Sequence, residues 1–377
     1  MNIFYCITFL HFGAGRALLD LAKEAVDRGH QAVIGATRKI DTFESQANLV
    51  EEAKESGIPV ILVDDIFTRD FRQINESTVE LEEVFARKQF DLIHSHAAIP
   101  AFAAALVSKN VYNRILPHVS TVHAWSPEKP KWMKLQDAFI LNNVVAVQAV
   151  SHNVADFLVD EGVKKELVKV IYNGCNFSRI DRLTSLEAAA SFESVDSKPF
   201  RIGTVADLSE RKGIKYLIEA ISMLPEGLRS KLEVIIVGDG PEKENLKAEA
   251  ESLGISNNIH FIGYSQNPFQ HVVSFDLFIL PSLSEGLPVS LVEAMYLKVP
   301  VLATNVQGNR EIMRDGINGI LVPPGDSWSI TQGIMEFFHC KLKYQSKAEQ
   351  AYQWIMENFD RSASFDRIFN LYQKIAR

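Results

Sequence analysis

Cysteine is scarce. Cys6, Cys175 and Cys340 are the only three in 377 residues. They are odd in number and far apart, which excludes a disulfide framework and the paired spacings of a zinc site. They read as reduced, packed thiols of a cytosolic protein. Long apolar runs are missing as well, since none approaches the ~20 residues that a membrane-spanning helix needs. The opening MNIFYCITFL has no basic residue ahead of its apolar run and leads into a glycine-rich turn, so it is read as a first strand and not as a secretory leader. Nor is positive charge in excess. The formal net charge is −8, whereas general nucleic-acid binding requires a basic footprint. What remains is ordinary globular material, 47% hydrophobic and 23% charged, at a length that suits two domains.

Strand-length apolar runs alternate with helical periodicity. Residues 3–10 form the first run, His11-Phe12-Gly13-Ala14-Gly15-Arg16 follows, and Ala17, Leu18, Leu21, Ala22, Ala25 and Val26 then recur at helical spacing up to Gly29. A strand over 31–36 completes the opening of a doubly wound sheet, whose ligands bind at the carboxyl ends of its strands. Further strands are expected at 60–63, 91–94, 120–123, 144–150 and 168–172, with helices at 76–88 and 101–107. Several strand ends are polar: His94 and His96, His123, Ser151 and Asn173. On one rim they would line a cleft, as acceptor-side candidates. No third ligand stands at a suitable spacing from His94 and His96, so no metal is expected.

Periodicity weakens from 178 to 199. A linker over 181–199 is therefore placed between a first domain, 1–180, and a second, 200–350; helical patterns over 351–377 are expected to cross back to the first domain. The second domain restarts the alternation at 200–205 and carries the turn Gly238-Asp239-Gly240-Pro241. Its informative stretch is 280–293, LPSLSEGLPVSLVE. A short apolar run ends at Pro281-Ser282, a loop holds Glu285, Gly286, Leu287 and Pro288, and a helix follows. Proline near the first helical position gives up an N–H that would be unpaired anyway. The N–H groups of Val289 and Ser290 can then hold an anion such as phosphate. Glu285 would lie beside a bound diphosphate, and Glu293, further into the helix, could accept two vicinal hydroxyls.

These pieces, with Lys212-Gly213, Phe261-Ile262-Gly263, Pro300-Val301, Gly308-x-x-Glu311 and Asp315-Gly316-x-Asn318-Gly319, stand in an order that resembles the retaining glycosyltransferases of family four. The resemblance covers nearly the whole chain and is stronger in its second half. It implies the GT-B fold, two doubly wound Rossmann-like α/β domains facing across a cleft. It also implies transfer of a sugar from a nucleotide-sugar donor, UDP- or GDP-linked, to a glycan or lipid-linked acceptor in bacterial surface polysaccharide synthesis, with no cofactor. On this likeness Glu285, Lys212 and His123 are the catalytic candidates. Glu293, Arg211, Gly13, Gly15, Gly286, Leu287, Pro288, Val289, Gly238 and Gly263 are donor-binding candidates. No metal is implied, because cation and helix terminus would take the leaving diphosphate's charge.

One departure matters. Asp207 stands where similar sequences carry an arginine for the diphosphate, and Arg211 is the expected substitute. Lys298, in place of a helix-ending glycine, and Cys175-Asn176 are expected to be structural. Two other readings stay open: a catalytically silent nucleotide-sugar-binding partner, and a GT-B nucleotide-sugar epimerase. Between 109 and 134, Lys109, Arg114, Lys129, Lys131 and Lys134 face a single acid, Glu128, with Trp125, Trp132 and Met133 interleaved. That composition suggests a surface that rests on the anionic inner face of a membrane.

Overall fold

The computed structural model describes all residues except 39–43, 65–68, 70, 124–128, 189–198 and 377. The chain divides into two units, Met1–Asn173 with Ser362–Arg377, and Gly174–Arg361. Within the first, β1 (Asn2–Ile7), α1 (Phe12–Asp27), β2 (Gln31–Thr37), α2 (Glu44–Glu55), β3 (Val60–Val63), α3 (Phe71–Arg87) and β4 (Leu92–His96) are followed by α4 (Ala98–Tyr112), β5 (His118–Val122), α5 (Lys131–Leu141), β6 (Ala146–Ala149), α6 (His152–Asp160) and β7 (Val168–Val170). The strands form one sheet in the order β3-β2-β1-β4-β5-β6-β7, with every pair parallel. Alternate residues of β1 feed two cores. Ile3, Tyr5 and Ile7 pack with α1 and α2, while Phe4 and Cys6 pack with α3 and α4. Burial on both faces is why the strand reads as an unbroken apolar run and not as an alternating one.

The second unit contains α7 (Phe177–Ala188), β8 (Phe200–Val205), α8 (Ile214–Ser222), α9 (Glu226–Arg229), β9 (Leu232–Val237), α10 (Lys243–Ser252), β10 (Ile259–Gly263) and α11 (Phe269–Val272), then β11 (Leu277–Leu280), α12 (Val289–Tyr296), β12 (Val301–Thr304), α13 (Gln307–Ile312), β13 (Ile320–Val322), α14 (Ser327–His339) and α15 (Lys341–Asn358). Its parallel sheet has the order β10-β9-β8-β11-β12-β13. Both sheets change direction beside their first strand, β1 or β8, which leaves a crevice at the carboxyl ends there.

The boundaries differ from the expected ones. The change of unit falls between Asn173 and Gly174. The linker expected over 181–199 is helical as far as Ala188, in α7, and 189–198 lie outside the described residues. α7 belongs to the second unit because Phe177 stacks on Tyr296 of α12 at 4.3 Å and Asp181 accepts from the Tyr296 hydroxyl at 2.8 Å. Residues 351–361 also belong to the second unit, and only Ser362 onward returns to the first, in α16 (Arg361–Ile375).

Helix α16 is held by an apolar stripe and one buried polar chain. Phe365, Ile368, Phe369 and Tyr372, spaced for one helix face, join the core over β1 and α1. The Tyr372 hydroxyl meets Nδ1 of His94 on β4. Nε2 of His94 meets Thr121 Oγ1 at 2.6 Å, Thr121 donates to Gln148 Oε1 at 2.7 Å, and Gln148 donates to the Ile171 carbonyl at 3.0 Å. A carbonyl can only accept, so every proton in this chain is assigned: His94 carries its own on Nε2, and Tyr372 donates to the bare Nδ1. We expect Tyr372→Phe, which strands that buried nitrogen, to cost about 1–3 kcal/mol of first-unit stability. Urea unfolding measures it, and an unchanged midpoint would mean that the hydroxyl contributes nothing.

Candidate active site

In the second unit, the loops that leave the carboxyl ends of β8 and β11 are clasped together. The N–H of Leu283 donates to the Arg211 carbonyl at 2.8 Å. Gly213 has φ +63°, and a Cβ there would stand 2.2 Å from the Pro281 carbonyl oxygen, so only glycine allows the approach. On this frame the Glu285 carboxylate accepts from Lys212 Nζ at 2.7 Å, from Ser282 Oγ at 2.6 Å and from Arg211 at 3.3 Å. Its side chain is only 5% exposed. A carboxylate taken out of water persists only when its charge and lone pairs are matched in this way.

Arg211 also donates to the Ser284 carbonyl at 2.9 Å. Asp207 lies 3.5 Å from Arg211 and 4.0 Å from Lys212, and it accepts from the Ser209 hydroxyl. Two cations are thus balanced by two carboxylates. The expected repulsion from Asp207 is met inside the cluster, by Arg211 four residues on.

Helix α12 starts one residue later than a proline at the first helical position would imply. Pro288 is its N-cap, with φ −77° and ψ 97°. The N–H groups of Leu291 and Val292 return to the Pro288 carbonyl, so the helical acceptors do not reach Val289 and Ser290. Gly286, Leu287 and Pro288 are buried, and Glu293 is half-buried one turn into the helix. Gly308 at the start of α13 supports the loop from beneath: a Cβ there would lie 2.5 Å from the Glu285 carbonyl oxygen.

The expected glycines divide by role. Gly238, at φ +143°, lies so close to Ala206 that a Cβ would reach 1.8 Å from its carbonyl oxygen, and its N–H donates to the Gly263 carbonyl at 2.8 Å. Both residues join backbone to backbone. The turn expected around Gly13 and Gly15 is instead the first turn of α1, which begins at Phe12. A Cβ on Gly15 would press on the backbone of Leu10 at 2.8 Å, whereas one on Gly13 would meet nothing within 4 Å.

In the first unit the acceptor-side candidates separate. His94 belongs to the closed chain beneath α16. Ser151 is fully buried and caps α6, accepting from the Val154 N–H at 3.1 Å. His96, His123 and Asn173 do come together. Nδ1 of His96 lies 2.7 Å from Nε2 of His123, whose Nδ1 lies 3.1 Å from the Asn173 amide nitrogen. Among the described residues no group of three His, Cys, Asp or Glu is placed to hold a metal ion.

Two partners escaped sequence reasoning. Ser282, three residues before Glu285, looked like strand-end punctuation. His118, which pairs with Ser95 at 2.9 Å on the other face of the sheet, lay ahead of the expected strand. Burial lowers His94 to about 3, with His118 and His123 adding to it, and lowers His118 to about 3.

Two family models match this chain: residues 187–354 match glycosyl transferases group 1 and residues 13–179 match glycosyltransferase family 4. It is 28% identical over 218 residues to the lipopolysaccharide core biosynthesis glycosyltransferase LpsE of Rhizobium meliloti (strain 1021), across 58% of this chain and 61% of that one. It is 22% identical over 306 residues to N-acetyl-alpha-D-glucosaminyl L-malate synthase of Bacillus anthracis, across 79% of this chain and 78% of that one. Among solved structures it resembles Anabaena Alr3699/HepE in complex with UDP and glucose, with a TM-score of 0.82 at 24% identity over 99% of this chain and 100% of that one. The fold is GT-B.

The buried histidines carry a pH dependence. The folded pKa of His94 and of His118 lies below the unfolded value, so between the two the native state binds fewer protons than the unfolded chain. Their contribution is complete above about pH 6.5 and declines as the pH falls below it, by about 2 kcal/mol per ring at about pH 5. Urea unfolding at the two pH values should show this loss, and His118→Gln, which cannot titrate, should lose less between them. Equal losses would mean that His118 is protonated in the folded state.

Proposed function

The chain belongs to the glycosyltransferases of group 1 and family 4, and from that premise we propose a reaction. It moves a sugar, with retained anomeric configuration, from a nucleotide-sugar donor to a glycan or lipid-linked acceptor of a bacterial surface polysaccharide. The observation that carries the proposal is the cluster on the second unit's strand ends, where Arg211 and Lys212 bond Glu285 on the loop that leads into α12. As the glycosidic bond breaks, the departing diphosphate gains charge. Preorganised donors aimed at developing charge are commonly the largest catalytic contribution. Arg211, Lys212 and the first N–H groups of α12 would supply them without a metal ion, and Glu293 would accept the ribose hydroxyls. Glu285, already neutralised by its partners, orients both cations. The relatives support the substrate class through LpsE's part in lipopolysaccharide core synthesis and HepE's complex with UDP and glucose.

Asp207 favours a second reading, a nucleotide-sugar-binding partner without turnover, because it brings another carboxylate against both cations. Nucleotide release from UDP-glucose, UDP-N-acetylglucosamine and GDP-mannose, with mass spectrometry of the products formed on candidate acceptors, separates the two. We expect release, undiminished by EDTA; tight donor binding with no release would establish the second reading. Loss of one donor to a developing oxyanion costs roughly 10²–10³ in kcat, and Lys212→Ala should fall on that scale. Arg211→Ala should lose about tenfold or more, and Asp207→Arg should tighten the donor and partly rescue it. If neither single change affects turnover, the diphosphate is bound elsewhere.

We also place the protein at an anionic membrane surface. The supporting feature is apolar: Trp132, Leu135 and Phe139 lie on one face of α5 and are 58%, 57% and 71% exposed. The basic residues contribute less than their number suggests. Lys129 and Lys134 pair with Asp137 and Glu161, and Trp125 and Glu128 lie outside the described residues. No helix among those described is long and apolar enough to cross a bilayer. Trp132→Ser/Leu135→Ser/Phe139→Ser should abolish flotation with liposomes containing anionic lipid, while Lys131→Glu should only weaken it. Equal recovery of wild type and variants with and without anionic lipid would remove the membrane from the account.

A further inference from the structure

The two histidine chains on the first unit's sheet end differently. The one through His94 is closed at both ends. The other, Asn173–His123–His96, is open. The Asn173 amide nitrogen can only donate, so it places a bare Nδ1 on His123, 3.1 Å away. A neutral His123 then carries its proton on Nε2 and donates it to Nδ1 of His96 at 2.7 Å. That leaves the proton of His96 on Nε2. This nitrogen is buried and has no hydrogen-bond partner among the described residues, on a residue 4% exposed at the carboxyl end of β4. Burial holds both rings neutral, with His123 lowered to about 4 and His96 well below its ordinary range. Buried N–H groups are otherwise almost always paired.

Both ring nitrogens of His123 are therefore taken up within the protein, and the free donor of the relay is one ring further on. We propose that His96, through its Nε2–H, binds a hydroxyl oxygen of the sugar substrate, with His123 and Asn173 as positioning residues that fix its tautomer. The inference rests on the glycosyltransferase reading for the identity of the ligand, but its geometry does not. A neutral donor suits a hydroxyl oxygen better than a phosphate, because it adds no charge to the site and does not hold an anion by ion pairing.

Selective ¹⁵N labelling of the histidine rings tests this on the wild-type protein. His96, assigned by its loss in His96→Gln, should carry its proton on Nε2, and so should His123. Adding UDP-glucose should shift the His96 Nε2 resonance, and adding UDP alone should not. A response to an oligosaccharide acceptor but not to UDP-glucose would assign the hydroxyl to the acceptor and uphold the role. In kinetics, His96→Gln keeps an N–H near the Nε2 position and His96→Asn does not. The Asn variant should fall roughly tenfold to a hundredfold below the Gln variant in kcat/KM. A purely structural His96 would instead rank the two by melting temperature. A His96 proton found on Nδ1, equal turnover by the two variants, or a resonance that responds to neither sugar overturns the proposal. If wild type releases nucleotide from no donor, the transfer reading fails separately, while the tautomer and the ligand response still judge His96.

Discussion

The buried carboxylate of Glu285 is the interaction on which the second unit's site depends. It is the one point where both loops, both cations and Ser282 meet. Withdrawn from water, it would be untenable alone, and its partners would lose their common anchor without it. The backbone serves this meeting. Gly213 takes a left-handed turn to let Pro281 approach, and Gly308 lets α13 press against the loop from below. Thr304, at the end of β12, bonds the Ser282 carbonyl, and Asn309 of α13 donates to the Thr304 carbonyl at 2.8 Å. Rigidity so built is what electrostatic preorganisation requires, since donors that must reorient contribute less to the transition state.

The first unit uses the opposite device, neutral rings in a dry sheet. His94, His96 and His123 are kept uncharged by burial and ordered by donors whose direction a carbonyl or an amide dictates. One chain spends all its protons on holding α16 against β4. The other leaves one proton at the strand rim. The same residue type two positions apart on β4, His94 and His96, thus serves stability in one case and presents a donor in the other. Only the neighbours differ: Tyr372 and Thr121 around His94, His123 beside His96.

The order of elements was legible because parallel strands buried on both faces leave unbroken apolar runs and their covering helices leave a 3.6-residue period. Glu285, Lys212 and Arg211 could be selected because loops at the carboxyl ends of parallel strands are where such folds bind ligands. Ser151 could not be told apart from His96 by the same rule, since a helix cap and a binding group both place a polar residue after a strand. Gly238 and Gly263 were read from the resemblance as donor-binding glycines, and nothing local marked them as partners of each other. The linker was misplaced because α7 has a polar exposed side, while its anchor, Phe177 on Tyr296, joins residues more than a hundred apart.

By itself the sequence determined the class of fold, the alternation of strands and helices, and which loops carry the charged residues, all of which follow from local periodicity and punctuation. Tertiary structure alone decided that Glu285 is balanced by Lys212 and Arg211 of another loop, that His94 is closed off by a tyrosine 278 residues away, and that His96 keeps a proton to donate. These are matters of pairing and burial. A side chain's charge state and free hydrogen-bonding capacity depend on which distant groups share its low-dielectric surroundings, and no local pattern records those groups.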